Sequence, residues 1–405
     1  MPEFYYTARS QDGSIIKDKL SAPDERALEQ TLKEGGLTLM SIKKEEIAKK
    51  VSIGSFFEKF QRIPSIQKMF FTQHLQVMVR TGFSIGKALS ALAEQTTHKL
   101  FKKIILEIKK DVESGVSLSK SLTKHPKAFS EMYVSMVAAG ETSGKLDEVL
   151  YRLAIQMRKD HALISKVKNA LTYPILVVVA MIGIGMAMMA FVLPKLMAFF
   201  QEAKVSLPLP TRILVGTSNF FSKNFYFVII GIILAIFLFI RLKKVKKVQF
   251  IIDKMILKLP IMASIVKKIN LSKFTRSLSS LLKTDISIIE AFQIISRTLG
   301  NVHYKNAMLE AAEQVKTGSS IVSALEKRKD LFPPIVVQMV SVGEESGTLD
   351  NISEEIANFY EEDVDQTMNN LTSIIEPVLI IVLGAAVAGI AIAIILPIYS
   401  LSQTI

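Results

Sequence analysis

No cysteine occurs anywhere in the sequence. Disulfides, zinc–thiolate sites and thiol catalysis are therefore excluded. Tryptophan is absent too. Histidine is scarce: His74, His98, His125, His161 and His303 show no metal-ligand spacing. No nucleophile–base pair or metal-ligand cluster stands out, so no catalytic residue, cofactor or metal is expected. Positive charge is missing from one end, for no Lys or Arg follows Lys329. The first twenty residues mix charges and lack an apolar run, so no secretory signal is expected.

Apolar residues, by contrast, are abundant, at 49% of the 405 residues. Three stretches carry essentially no charge: Lys168 to Lys195, Lys223 to Arg241, and Pro377 to the C-terminus. A spanning helix needs about 20 apolar residues, which predicts transmembrane helices at 169–194, 224–240 and 374–398. The net charge of +13 gathers beside these stretches, as in RLKKVKK at 241–247. Basic residues flank the cytoplasmic ends of spans. That reading places the N-terminus inside, residues 195–223 in a short outer loop with VSLPLP extended, and the 399–405 tail outside. With membrane topology accounting for the charge, no nucleic-acid partner is expected.

The chain repeats itself. Sliding it by 203 residues without a gap lays 71–194 on 274–397, with about 33 of 124 pairs identical. Phe71-Thr72 falls on Phe274-Thr275, Met136-Val137 on Met339-Val340, Pro174 on Pro377, and Leu193-Pro194 on Leu396-Pro397. Each copy ends in a span. Two copies in one orientation need a returning span between them, and the stretch at 224–240 supplies it.

The octets GETSGKLD (140–147) and GEESGTLD (343–350) mark the repeat best. GETSGK is not a phosphate-binding loop, which needs four residues between its glycines where this one has three. A helix–loop–helix joint is expected. Gly140 and Gly343 suit a left-handed position closing a helix. Ser143 and Ser346 suit an N-cap, and Asp147 and Asp350 the first turn of the next helix. A second reading makes Glu141, Asp147, Glu344 and Asp350 a contact surface or a cation site. Charge differs between the copies on one helix: Arg152, Arg158 and Lys159 map onto Glu355, Glu361 and Glu362. Such inversion suits pairing of copy one with copy two, within a chain or between chains.

The parts outside the spans read as helical, about six helices per copy. Phe70, Leu75, Met78 and Val79 recur near helical spacing, as do Phe101, Ile104, Ile105, Ile108 and Val112. Residues 1–45 differ: FYYTARSQDGSIIKDKL has strand character with a turn at Asp12-Gly13, and DERALEQTLKEGG reads as a helix ending at Gly35-Gly36. A linker at 46–62 follows, then helical domains at 63–168 and 241–373. In the spans, Gly183, Gly384 and Gly389 among alanines suit close helix approach, either between this chain's own spans or toward an incoming apolar helix.

The duplication, the octets, KVKNALTYP…FVLP at 166–194, IIEP…IILP at 374–397 and the N-terminal YYTARSQDG together resemble the inner-membrane platform proteins of type IV pilus and type II secretion machines. Asp18 sits where that family often has Gly in a turn. The resemblance implies a mainly α, polytopic bacterial inner-membrane scaffold, not an enzyme. Its two duplicated cytoplasmic helical-bundle domains, with the small α+β module, would engage a hexameric assembly ATPase. Its three spans, with a periplasmic loop at 195–223, would touch pilin or pseudopilin helices. Other inner-membrane alignment subunits, further copies of the chain, and lipid complete the implied partners. Pro174, Pro194, Pro377 and Pro397 belong to its transmembrane packing.

Overall fold

In the N-terminal unit, alternate residues of one strand, Phe4, Tyr6 and Ala8, point inward, the period-two pattern of a half-buried sheet. A computed structural model of the chain describes residues 3–10, 15–22, 24–44, 63–195, 209–243 and 245–402, and it separates into residues 1–62 and 63–405. In the first unit β1 (Glu3–Arg9) is flanked on both sides by antiparallel partners, β2 (Ile15–Ser21) and β3 (Thr38–Lys44). Between these, α1 (Glu25–Glu34) starts where the Asp24 carboxylate accepts from the Ala27 N–H at 2.8 Å. It stops at Gly35, followed by Gly36 with φ +70°. Leu28 and Leu32 close the core over the sheet. Asp18 lies within β2 opposite Tyr6, not in a turn. The Asp12-Gly13 turn and the 46–62 linker lie outside the described residues.

Copy one of the repeat folds as α2 (Ser65–Arg80), α3 (Ile85–Gln95), α4 (Lys99–Glu113), α5 (Leu118–Thr123), α6 (Glu131–Ser143) and α7 (Leu146–Ala187). α8 (Leu209–Lys223), α9 (Phe225–Leu242) and α10 (Lys246–Ile256) follow. Copy two then gives α11 (Pro260–Leu282), α12 (Ile288–Thr298), α13 (Val302–Lys316), α14 (Ile321–Glu326), α15 (Pro334–Ser346) and α16 (Leu349–Ser402). Each copy centres on three rings: Phe71, Phe101 and Phe129 in one, Phe274, Tyr304 and Phe332 in the other. Phe71 meets Phe101 at 5.4 Å and Phe274 meets Phe332 at 5.5 Å, both edge-on, the arrangement the ring quadrupole favours. Both trios belong to a single hydrophobic cluster running from Ile63 to Tyr360, so the copies share one core. Phe71 turns inward and its neighbour Phe70 stays exposed, one position off the expected face.

The octets do form joints, with different residues at the key places. Gly144 and Gly347 take the left-handed position, with φ +71° and +68°. Gly140 and Gly343 lie inside α6 and α15 and let the next helix approach. A Cβ on Gly140 would stand 2.9 Å from Val149 Cγ2, and one on Gly343 would stand 3.0 Å from Leu349 Cα. Ser143 and Ser346 are not N-caps; their hydroxyls donate back to the Ala139 and Val342 carbonyls. Asp147 and Asp350 occupy first turns as expected. Elsewhere Asp285 takes φ +60° where copy one has Gly82 at φ +84°; Asp tolerates that conformation through its short polar side chain.

α7 and α16 run without a break from the joint into the apolar segment. α7 has 42 residues, passes through a π-turn at Met188–Val192 and is helical as far as Lys195, the last described residue before 209. α16 has 54 residues, roughly 80 Å at 1.5 Å per residue. These two helices are long and apolar enough to cross a membrane. A third crossing exists if α8 and α9, which meet at a 79° bend, count as one broken span. Residues 209–223, read above as part of a short outer loop, are helical. Pro210 falls in the first turn, where a missing N–H is tolerated, and the half-buried Val215 lies one turn after Thr211 on the buried side. Residues 196–208 lie outside the described residues.

Candidate functional site

Charge concentrates where α7 of copy one and α11 of copy two meet α16. The Arg276 guanidinium is 5% exposed and donates from Nε to Glu361 at 2.8 Å and from an Nη to Asn358 Oδ1 at 2.5 Å. The second Glu361 oxygen accepts from Lys159 Nζ at 2.9 Å. Glu361 therefore holds a cation from each copy. The seam extends both ways along α16: Lys166 reaches Asp365, Lys268 meets Asp363 at 2.7 Å, and Lys283 with Arg276 serves Glu354. The hydrogen bond from Lys283 holds the Glu354 carboxyl below the usual carboxylate range. Nearer the apolar segment the seam turns hydrophobic, with Leu163, Ile265, Val364, Met368 and Leu371 packed together.

The inverted charges thus meet in part. Lys159 and Glu361 come together. Arg152 pairs with Glu148 one turn back on its own helix at 2.6 Å. Arg158 points to the opposite side of α7, beside Gln73, Gln76 and Tyr151. Glu355 is exposed, and Glu362 lines an open cleft of about 400 Å³ over the seam with Lys159, Lys166 and Asp365. The sequence pattern missed Arg276, because the equivalent position in copy one is Gln73 and no inversion marks it.

The repeated Glu is a capping group in both copies. The Glu141 oxygens accept from the Leu118 N–H at 2.6 Å and from the Ser119 N–H and hydroxyl at 2.9 and 2.5 Å. The Glu344 oxygens accept from the Ile321 and Val322 N–H groups at 2.8 and 3.1 Å. Each carboxylate sits at the N-terminus of a short helix, α5 or α14, where orphan N–H groups and the dipole favour an anion. Among the described residues no group of His, Asp or Glu has metal-binding geometry. Asp147 and Asp350 stand in helix first turns, apart from this capping.

A second cleft, of about 290 Å³, opens between the copies, with Lys68, Asp160, Lys273 and Arg297 in its wall. Desolvation pushes the Asp160 carboxyl up and the Lys68 amine down. At its rim Arg297 forks onto both Glu131 oxygens at 2.5 and 2.6 Å.

In the apolar segment, Pro174 is buried, Pro194 half-buried and Pro377 exposed; the Pro397 side chain lies outside the described ones. A Cβ added at Gly183, Gly384 or Gly389 would meet nothing within 4 Å. Among the described residues, none of the chain's own spans packs against these glycines.

The duplicated unit, its gapless 203-residue period and the joint glycines can be set beside known proteins. The family described as type II secretion system (T2SS), protein F matches twice, over residues 71–194 and 274–397, and its N-terminal domain matches residues 1–43. The chain belongs to the type II secretion system protein F family. Relatives of both kinds resemble it along their length. The type IV pilus assembly protein PilC of Myxococcus xanthus is 32% identical over 403 residues, covering 100% of this chain and 96% of that protein. The PilC of Thermus thermophilus is 31% identical, covering 100% and 99%. The type II secretion system protein F of Vibrio cholerae is 30% identical, also covering 100% and 99%. The protein F family is one of membrane platform proteins, and this member has the duplicated helical domains and apolar helices to match.

Proposed function

We propose that this chain is an inner-membrane platform of a pilus or secretion machine, coupling a cytoplasmic assembly ATPase to pilin or pseudopilin subunits in the membrane. One observation carries the reading. Glu361 ties copy one to copy two through Lys159 and Arg276, and it sits on a helix that continues unbroken into the apolar segment. A push on either helical bundle is then delivered to both long helices together. The basic run at 241–247 supports a cytoplasmic N-terminus and three crossings, with α9 returning the chain between the repeats. The domain limits inferred from the sequence stay as proposed, with α7 and α16 each carrying cytoplasmic and membrane portions.

The uncovered small residues Gly384 and Gly389 are the proposed seat of a pilin helix. Close backbone approach is what small residues permit in lipid. Glu141, Asp147, Glu344, Asp350, Arg152, Arg158, Glu355 and Glu362 are proposed contacts for the ATPase, alignment subunits or a second copy. The native chain lacks cysteine, so Gly384→Cys and Gly389→Cys give unique crosslinking handles. Deleting the gene should abolish surface fibres or secretion, and both cysteines should crosslink to a pilin-like subunit. Intact fibres and secretion after deletion would refute the platform reading. Crosslinks only to a second copy would move the pilin seat elsewhere.

A further inference from the structure

Two prolines stand at equivalent places near the ends of the two copies, Pro194 and Pro397. Proline has no N–H, so each leaves one backbone carbonyl of its helix without its usual partner. In α16 the pattern is i to i−4, and Pro397 leaves the Ala393 carbonyl open. In the π-turn after α7 it is i to i−5, as the Leu193 N–H to the Met188 carbonyl shows. Carried one residue further, the same register makes Met189 the carbonyl that Pro194 leaves open. Those are the two carbonyls that α8 takes. The Thr211 hydroxyl donates to the Ala393 carbonyl at 2.8 Å, and the Ser218 hydroxyl donates to the Met189 carbonyl at 2.7 Å. Thr211 is 0% and Ser218 1% exposed. Seven residues, or two helical turns, separate them, so both lie on one face of α8 about 10 Å apart.

We propose that α8 is a clamp: Thr211 and Ser218 are positioning residues that tie together the ends of α7 and α16 remote from the helical bundles, using the two carbonyls that Pro194 and Pro397 release. The acceptors differ by one register between copies because one helix is π and the other α at the proline. Chance packing of a polar helix has no reason to follow that shift. An unpaired carbonyl is expensive where water is scarce, and hydroxyl side chains are a usual remedy beside proline in apolar helices. Here the remedy comes from a third helix and reaches both copies. The seam around Glu361 joins the copies at one end of the long helices, and α8 joins them at the other. The two repeats then move as one frame.

The test uses full-length protein in lipid nanodiscs, spin-labelled at Val192→Cys and Leu396→Cys, with pulsed dipolar distances between the labels. The native background should give one narrow distance distribution. Thr211→Val with Ser218→Ala should lose that single narrow peak and lower Tm, while Thr211→Ser with Ser218→Thr, which keeps both hydroxyls, should retain the peak. Adding Pro194→Ala and Pro397→Ala returns an N–H to each helix. It should restore Tm while the distribution stays broad. A narrow peak in the Val/Ala pair, or one restored along with Tm by the alanines, would overturn the clamp and leave the hydroxyls as local carbonyl partners. If the Val/Ala pair does not accumulate in the membrane, Thr211→Val and Ser218→Ala are measured singly by the same criteria.

Discussion

Arg276 and Glu361 form a nearly buried ion pair, Nε to carboxylate oxygen at 2.8 Å, with exposures of 5% and 16%. The same carboxylate receives Lys159, whose side chain is 43% exposed. The two cations should therefore differ in worth. Removing one partner of a buried pair leaves an uncompensated charge and costs about 3 kcal/mol or more, whereas exposed pairs contribute about 0–1 kcal/mol. Arg276→Met should lower Tm clearly and loosen copy one from copy two, seen as new protease cleavage between them. Lys159→Met should leave Tm nearly unchanged. Equal effects of the two would show that burial does not set the worth of the two cations.

The capping role of Glu141 and Glu344 gives a second expectation. Losing a cap costs about 0.5–2 kcal/mol. Glu141→Ala should destabilise by about that much, and Glu344→Ala similarly. Faster amide exchange should appear first at Leu118 and Ser119, or at Ile321 and Val322. A variant with native exchange at those amides and lost assembly would instead place the Glu in partner recognition.

The joint glycines should separate by mechanism. At Gly140 a methyl collides with Val149 and at Gly343 with Leu349; overpacking of this kind costs about 1–3 kcal/mol. At Gly144 and Gly347 there is open space but a left-handed backbone. Gly144→Asn should therefore be tolerated better than Gly144→Val, because Asn visits that region readily. At Gly140 both Asn and Val should be poorly tolerated. Thermal melts of the four variants decide it.

Asp160 should leave a pH signature. Burial raises its folded pKa above the unfolded value, so the folded state holds that proton more tightly. Stability is then lost as pH rises from about 4 through the raised value. Glu354 has the opposite sign. Its pKa is lowered by Lys283, so its contribution is present above the usual carboxylate range and is lost as pH falls through the lowered value. Asp160→Asn should raise Tm at pH 7 and leave it unchanged in acid. A lower Tm at pH 7 would mean that Lys273 depends on the Asp160 charge.

Much of this protein was written locally. Apolar runs set the long helices, and period-two and helical patterns set the N-terminal sheet and the bundle faces, because burial of a side chain follows its spacing along one element. The repeat came through for the same reason: it is a comparison of letters at a constant offset. The octets announced a joint, but sequence placed the left-handed residue at Gly140 when Gly144 takes it. Both glycines satisfy the pattern, and only the approach of Val149 to Gly140 decides which needs flexibility and which needs space. The capping role of Glu141 was not legible because the amides it caps lie over twenty residues away. Arg276 and Lys159 meet at Glu361 through folding across distances of 85 and 202 residues, which no local pattern encodes. Thr211 and Ser218 read as part of a loop, and their partners are backbone carbonyls, which have no letter of their own. Which carbonyl stands open depends on whether the helix before each proline is α or π. That is a property of hydrogen-bond register, decided by the packed structure.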